Sequence, residues 1–223
     1  NGNLTISESI ISDVGSQGLY VYGGDLNLAD TTVGNSGERG VYVYLGDALI
    51  DGLQVVDLSS TQDQRSALSY GLDVRGHALV TDSIIDKADS YGMYAKSAEI
   101  VSSTFSNNNN IGVILYGNDA SSVSYCDVTD NGSHGVYGPT TGTNSLDVSY
   151  NNVTGNKYYG VVYARALDNN YIADNYSKTG ADTTSKGTVD GTLDVSSSQI
   201  GSIDAVTNPQ SSSVSGTGPA SGS

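Results

Sequence analysis

"VTDNGSHGVYG" (128–138) and "VTGNKYYGVVY" (153–163) are two copies of one unit, set 25 residues apart. In each, an apolar residue (Val128, Val153) is followed at the same offsets by Asn (Asn131, Asn156), Gly (Gly135, Gly160) and Val (Val136, Val161). A unit this short cannot bury its own apolar face. It becomes stable only when copies stack on one another.

Working outward, the apolar anchor recurs at Ile11, Val33, Val55, Ile85, Phe105, Ile172 and Ile200. The intervals along the nine anchors are 22, 22, 30, 20, 23, 25, 19 and 28 residues. Five residues before the anchors the column reads Ile6, Leu28, Ile50, Val80, Ile100, Val123, Val148, Leu167, Val195. Seven before, it reads Leu4, Leu26, Ala48, Ala78, Ala98, Ser121, Leu146, Arg165, Leu193. These columns differ by two positions, the period of one strand face.

A second strand follows each anchor and opens on Gly: Gly18, Gly40, Gly71, Gly92, Gly112, Gly135 and Gly160. One residue on stand Leu19, Val41, Leu72, Met93, Val113, Val136 and Val161, which share the interior with the anchors. No segment has the apolar period of a long helix. Each unit therefore holds two or three short strands joined by polar turns. Parallel β coils satisfy this, and at about 4.8 Å per coil the stack forms a rod roughly 43 Å long.

The pattern of anchor, Asn, Gly and Val resembles the right-handed parallel β-helix repeats of the pectate-lyase-like superfamily, over residues 2–205. "GGDLNLADTTV" (23–33) and the run from Asp51 to Ile85 are similar to β-helix segments of large bacterial surface proteins. The expected fold is all-β: a single right-handed parallel β-helix of eight or nine coils over 1–207, followed by a Ser/Gly-rich tail or linker at 208–223. Insertions fall at 58–70 and 177–191 and are expected to loop out. Asn108, Asn131, Asn156 and Asn175 sit three after their anchors. They read either as a stacked amide ladder or as turn residues tolerant of the left-handed region.

Composition narrows the function. Nine Lys and Arg stand against 24 Asp and Glu, a formal charge of −15. Such a surface repels nucleic acid and anionic membranes. No apolar run approaches the length of a membrane span. The single Cys126 excludes an internal disulfide and a Cys-rich zinc site. The first residues carry no signal peptide, which leaves a mature protein, a fragment or a cytosolic chain. Coil one starts at Leu4 without a cap, so a longer parent chain or an end-to-end partner contact is expected. The resemblance places the chain outside the cell or on a bacterial surface.

The outward residues of the Gly-led strands are the candidate site. Two after the Gly stand Tyr20, Tyr42, Asp73, Tyr94, Ile114, Tyr137 and Val162; four after stand Tyr22, Tyr44, Arg75, Lys96, Tyr116, Pro139 and Ala164. Tyr20, Tyr22, Tyr42, Tyr44, Tyr94, Tyr116 and Tyr137 would form an exposed aromatic face, suited to a polysaccharide or to a partner protein. Cross-strand stacking between coils is the structural alternative.

Asp73, Arg75 and Lys96 break this face, with His77 placed beyond the strand end. The resemblance to polysaccharide lyases implies a basic side chain taking a proton beside a uronate, and acidic residues holding Ca²⁺. One Asp is too few for a calcium cage, an Arg base needs a strongly lowered pKa, and an exposed ion-pair cluster accounts for the same residues. No cofactor is expected. Ser133–His134–Gly135 is similar to a polygalacturonase motif, but the carboxylate pairs that glycoside hydrolysis needs are missing from the pattern. His134 is expected to be a turn residue. Asn3, Asn131, Asn152 and Asn175 open N-glycosylation sequons. The leading function is a non-catalytic surface segment, structural or adhesin-like, with a lyase acting on acidic glycans as the alternative.

Overall fold

The computed structural model describes residues 2–58, 69–139 and 146–175, and the backbone of five further short strands, Thr183–Thr184, Leu193–Asp194, Gln199–Ile200, Ile203–Asp204 and Val214–Ser215. The boundary at 207/208, Val195 and most of both expected insertions lie outside the described residues. Val214–Ser215 pairs with Leu193–Asp194.

The strands are parallel throughout and form a β-solenoid, as the repeat predicts. Nine strands, from Ile10–Val14 to Gln199–Ile200, form one sheet in chain order. Along it the nine anchors stand opposite one another in unbroken register, from Ile11 opposite Val33 to Ile172 opposite Ile200. The Gly-led strands and the strands that follow them form a second, larger sheet. There Leu19, Val41, Leu72, Met93, Val113, Val136 and Val161 make a second register column. The space between the sheets is filled by one continuous core, in which Leu28, Ile50, Leu72, Ile100, Phe105 and Leu115 are wholly buried. Burying such a side chain contributes about 1.5–3 kcal/mol.

Two sharp corners shape each of the eight coils whose corners lie among the described residues. Glu8, Asp30, Gly52, Asp82, Ser102, Tyr125, Tyr150 and Asn169 have positive φ at the first corner; Asp13, Asn35, Asp57, Lys87, Asn107, Asp130, Gly155 and Asp174 have it at the second. Each pair is five positions apart and encloses one anchor strand. A single left-handed residue turns the chain sharply, and Asp, Asn and Gly tolerate that conformation best.

The residue after most corners is buried: apolar at Leu53, Leu58 and Ala88, but polar at Thr31, Ser83, Ser103, Asn151 and Asn170 after the first corner and at Ser36, Asn108, Asn131, Asn156 and Asn175 after the second. After the second corner, Asn108 Nδ2 donates to Asn131 Oδ1 (2.9 Å), Asn131 Nδ2 to Asn156 Oδ1 (2.9 Å) and Asn156 Nδ2 to Asn175 Oδ1 (2.8 Å). Of the two readings open for these Asn residues, the ladder is the one formed, and the left-handed residue is the neighbour before each. After the first corner a second ladder runs that the sequence reading did not pick out. Ser83 and Ser103 Oγ, and Asn151 and Asn170 Oδ1, accept the N–H groups of Leu53, Ser83, Cys126 and Asn151. Cys126 fills one rung: its Sγ accepts from Ser103 N at 3.5 Å and donates to Ser124 O at 3.1 Å. These side chains supply partners to backbone groups that the corners strip from the sheet ladders.

The leading Gly residues have a steric cause. A Cβ at Gly40 would lie 2.5 Å from Gly71 O, and one at Gly92 2.5 Å from Gly112 O. The backbone of the next coil occupies the place of a side chain.

Candidate functional site

The seven Gly-led strands align Tyr20, Tyr42, Asp73, Tyr94, Ile114, Tyr137 and Val162 in one register column on the outer face. The column is continuous, but its surroundings change along the rod.

At the first two coils it is an open aromatic tile. Tyr20 stacks on Tyr42 (centroids 5.1 Å apart, 15° between planes) and Tyr22 on Tyr44 (5.5 Å, 18°). Within each coil the two rings meet edge to face, at 6.3 and 5.9 Å. Tyr20 is 47% exposed and Tyr22 66%. The fixed coil spacing sets the stacking distance, and the sheet holds the rings with little side-chain freedom left to lose on binding.

At the third coil the expected exposed ion pairs are replaced by a closed cluster. Asp73 has no exposed surface. Arg39 Nε donates to its Oδ2 (3.0 Å), and Arg75 Nη2 donates to the same oxygen (2.9 Å). Arg75 Nε makes a further ionic contact with Oδ1 at 2.7 Å. The guanidinium of Arg39 lies 4.4 Å from the Tyr42 ring centre and 5.4 Å from that of Tyr70; Arg75 lies 4.7 Å from that of Tyr94. Planar cations stacked on rings cover the carboxylate and carry their own apolar stems over it. Burial works against the charge of Arg75, but the hydrogen bond and charge of Asp73 outweigh it and hold its pKa above the ordinary value. Burial, reinforced by the Asp73 charge, raises the Tyr42 phenol.

Lys96 stands apart from this cluster. Its Nζ pairs with Asp119 Oδ2 at 2.9 Å on open surface. The pairing register slips here: Ala95 faces Val74, but Ser97 faces His77, so Arg75 and Gly76 together oppose Lys96. The strand itself continues from Tyr70 to Thr81, so His77 lies within it and not beyond its end. Its Nδ1 is 3.0 Å from Ser97 Oγ.

Tyr94 stacks on Tyr116 at 4.7 Å and on Tyr70 at 5.5 Å. Tyr137 belongs to a separate group, edge-on to Tyr163 (5.1 Å) and 5.5 Å from His134. Burial and a hydrogen bond with Tyr163 hold the Tyr137 phenol protonated well above its usual range. His134 stacks parallel to Tyr159, and its Nδ1 accepts from Tyr159 N (3.2 Å). Burial pushes the imidazole down to about 4.

Arg39, Tyr70, Tyr91 and Tyr159 were missed, yet a signal for them existed. The residue before each leading Gly reads Gln17, Arg39, Tyr70, Tyr91, Ile111, His134, Tyr159. That column flanks the tyrosine column and supplies its covering groups.

Among the described residues, no group of three His, Cys, Asp or Glu side chains is placed to hold a metal ion. Of the sequons, Asn131 and Asn175 are buried in the ladder, out of reach of a glycan-transferring enzyme.

No curated protein and no solved structure matches the chain. The family model described as "Right handed beta helix region" matches residues 65–200, which include Asp73 and Arg75 of the charged cluster and the best-preserved coils. With parallel coils whose anchor strands stand in unbroken register and a match over more than half its length, the chain belongs to the right-handed β-helix family.

Proposed function

We propose that this chain is a non-catalytic segment of an extracellular or cell-surface protein, and that it holds a polysaccharide against the Tyr20–Tyr22–Tyr42–Tyr44 tile. The observation that carries the reading is the tile itself: four rings in fixed stacking geometry, most of them exposed, on a rigid sheet. A sugar ring stacks its C–H face on such a surface and bonds the phenol hydroxyls at its rim. The charged cluster supports the non-catalytic part. Arg75 is held protonated by Asp73 and is a poor proton acceptor, and Asp73 is sealed from solvent. The acidic surface suits a chain that stays soluble at the cell exterior.

A glycan array with the wild-type chain and a Tyr20→Ala/Tyr22→Ala variant tests the reading. Binding of at least one polysaccharide, lost in the variant, supports it. Binding to no glycan, or equal binding by both, rejects it and leaves a partner protein as the occupant of the tile. Unsaturated product, seen as ultraviolet absorbance on pectate or alginate with or without Ca²⁺, would reject the non-catalytic part.

A further inference from the structure

The first corner carries a feature that its own logic does not explain. Its positive-φ positions hold Asp30, Gly52, Asp82 and Asn169, but also Tyr125 (φ 54°) and Tyr150 (φ 57°). A bulky side chain is disfavoured there, because its Cβ crowds the following carbonyl. The two rings are nevertheless parallel within 6°, 4.8 Å apart, and 60% and 48% exposed. Backbone strain kept at neighbouring exposed positions is a common mark of a binding site.

The corner leads straight into a polar shelf. Asp127 and Asn152, two residues on, project from the outer side of the anchor sheet, where Asn152 Nδ2 donates to Asp127 Oδ1 (3.1 Å). Exposed Tyr171 faces Asn152 in the next coil. Aromatic faces beside an amide and a carboxylate form the combination that fits a pyranose: C–H groups on the rings, hydroxyls on the polar pair. No cation stands among these residues, and Asp127 is acidic, so a uronate or sulfated sugar would be repelled. Strand Ser121–Ser124 separates the corner from the tyrosine face.

We propose that Tyr125 and Tyr150, with Asp127, Asn152 and Tyr171, form a second carbohydrate site that takes a neutral pyranose chain. It stands independently of the tile at the first coils.

The test is titration calorimetry with the neutral hexasaccharides of glucose, mannose and xylose, and with hexagalacturonate as the acidic counterpart. The wild type, Tyr125→Asn/Tyr150→Asn and Tyr20→Ala/Tyr22→Ala are compared. Asn suits the left-handed backbone, so the corner variant is expected to fold, which circular dichroism checks. A second variant, Asn152→Ala, removes the amide half of the polar shelf without touching the corner. The proposal expects at least one neutral hexasaccharide to bind, with affinity at least tenfold weaker in the corner variant and in Asn152→Ala, and little changed in the tile variant. It expects no hexagalacturonate binding lost by the corner variant. Absence of neutral binding, or neutral binding that only the tile variant loses, overturns it.

Discussion

Asn131 joins three coils through one side chain. Its Oδ1 accepts from Asn108 Nδ2 (2.9 Å) and Asn108 N (3.2 Å), and its Nδ2 donates to Asn156 Oδ1 (2.9 Å) and Phe105 O (3.0 Å). The whole residue is buried. Asn131→Ala strands several of these partners without water. Each orphaned buried group costs about 1–3 kcal/mol, so a loss of roughly 3 kcal/mol or more is expected in urea unfolding. An unchanged midpoint would mean that the ladder contributes nothing.

Gly40 and Gly34 separate steric need from general flexibility. A Cβ at Gly40 meets Gly71 O at 2.5 Å, whereas at Gly34 the nearest atom is Val56 O at 3.5 Å. Gly40→Ala is expected to destabilise by about 2 kcal/mol or more through overpacking. Gly34→Ala is expected to be neutral or to stabilise by up to about 1 kcal/mol, by lowering the entropy of the unfolded chain. Thermal unfolding of both variants measures the contrast.

Asp73 and Lys96 should behave as opposites, although both form ion pairs. Asp73→Ala leaves two stacked guanidiniums without their buried anion and is expected to cost about 3 kcal/mol. Lys96→Ala opens an exposed pair with Asp119 and should leave the unfolding midpoint within error. Raising salt should shrink any Lys96 effect and leave that of Asp73 nearly intact.

His134 sets a pH dependence. The folded imidazole titrates near 4, below the ordinary value of 6.5, because burial disfavours its charge. Between those limits the unfolded chain takes up a proton that the native state refuses. Stability is therefore full above pH 6.5 and falls as pH drops toward 4, by about 2 kcal/mol allowing for partial exposure. In His134→Asn, which keeps an acceptor for Tyr159 N, this contribution should vanish from unfolding curves taken across the window.

Cys126 should be inert. Burial pushes its thiol up to about 11, and the sulfur occupies a ladder rung. Alkylation by iodoacetamide at pH 8 is expected only after denaturation, and Cys126→Ser should fold with little loss. Rapid modification of the native chain would place the first ladder in an open state.

The strands and their register were legible because buried apolar columns repeat at fixed offsets, and a one-residue slip would turn every such residue outward. The Asn ladder could be anticipated from its spacing. The ladder of Ser83, Ser103, Cys126, Asn151 and Asn170 could not, because its residue types differ; what they share is a small polar atom at one position. The tyrosine column was legible as a column, and Tyr20, Tyr22, Tyr44 and Tyr116 are exposed, but the burial of Asp73 within it was not legible. Side-chain period says which way Asp73 starts out from the strand, not that Arg39 and Arg75 fold over it. The register slip at Arg75–Gly76, which leaves Lys96 outside the cluster, also has no local sequence mark.

The corners have a consequence for engineering. Within every described coil the segment from first corner to second has one length, while chain-length variation falls elsewhere: between the second corner and the Gly-led strand at 58–70, and between Gly-led strands and the next first corner. The rod is thus a graduated ruler, with marks about 4.8 Å apart and tolerant sites between them. A foreign peptide spliced after Tyr116 or Gly138 would ride beside the rod at a chosen height without disturbing the graduations.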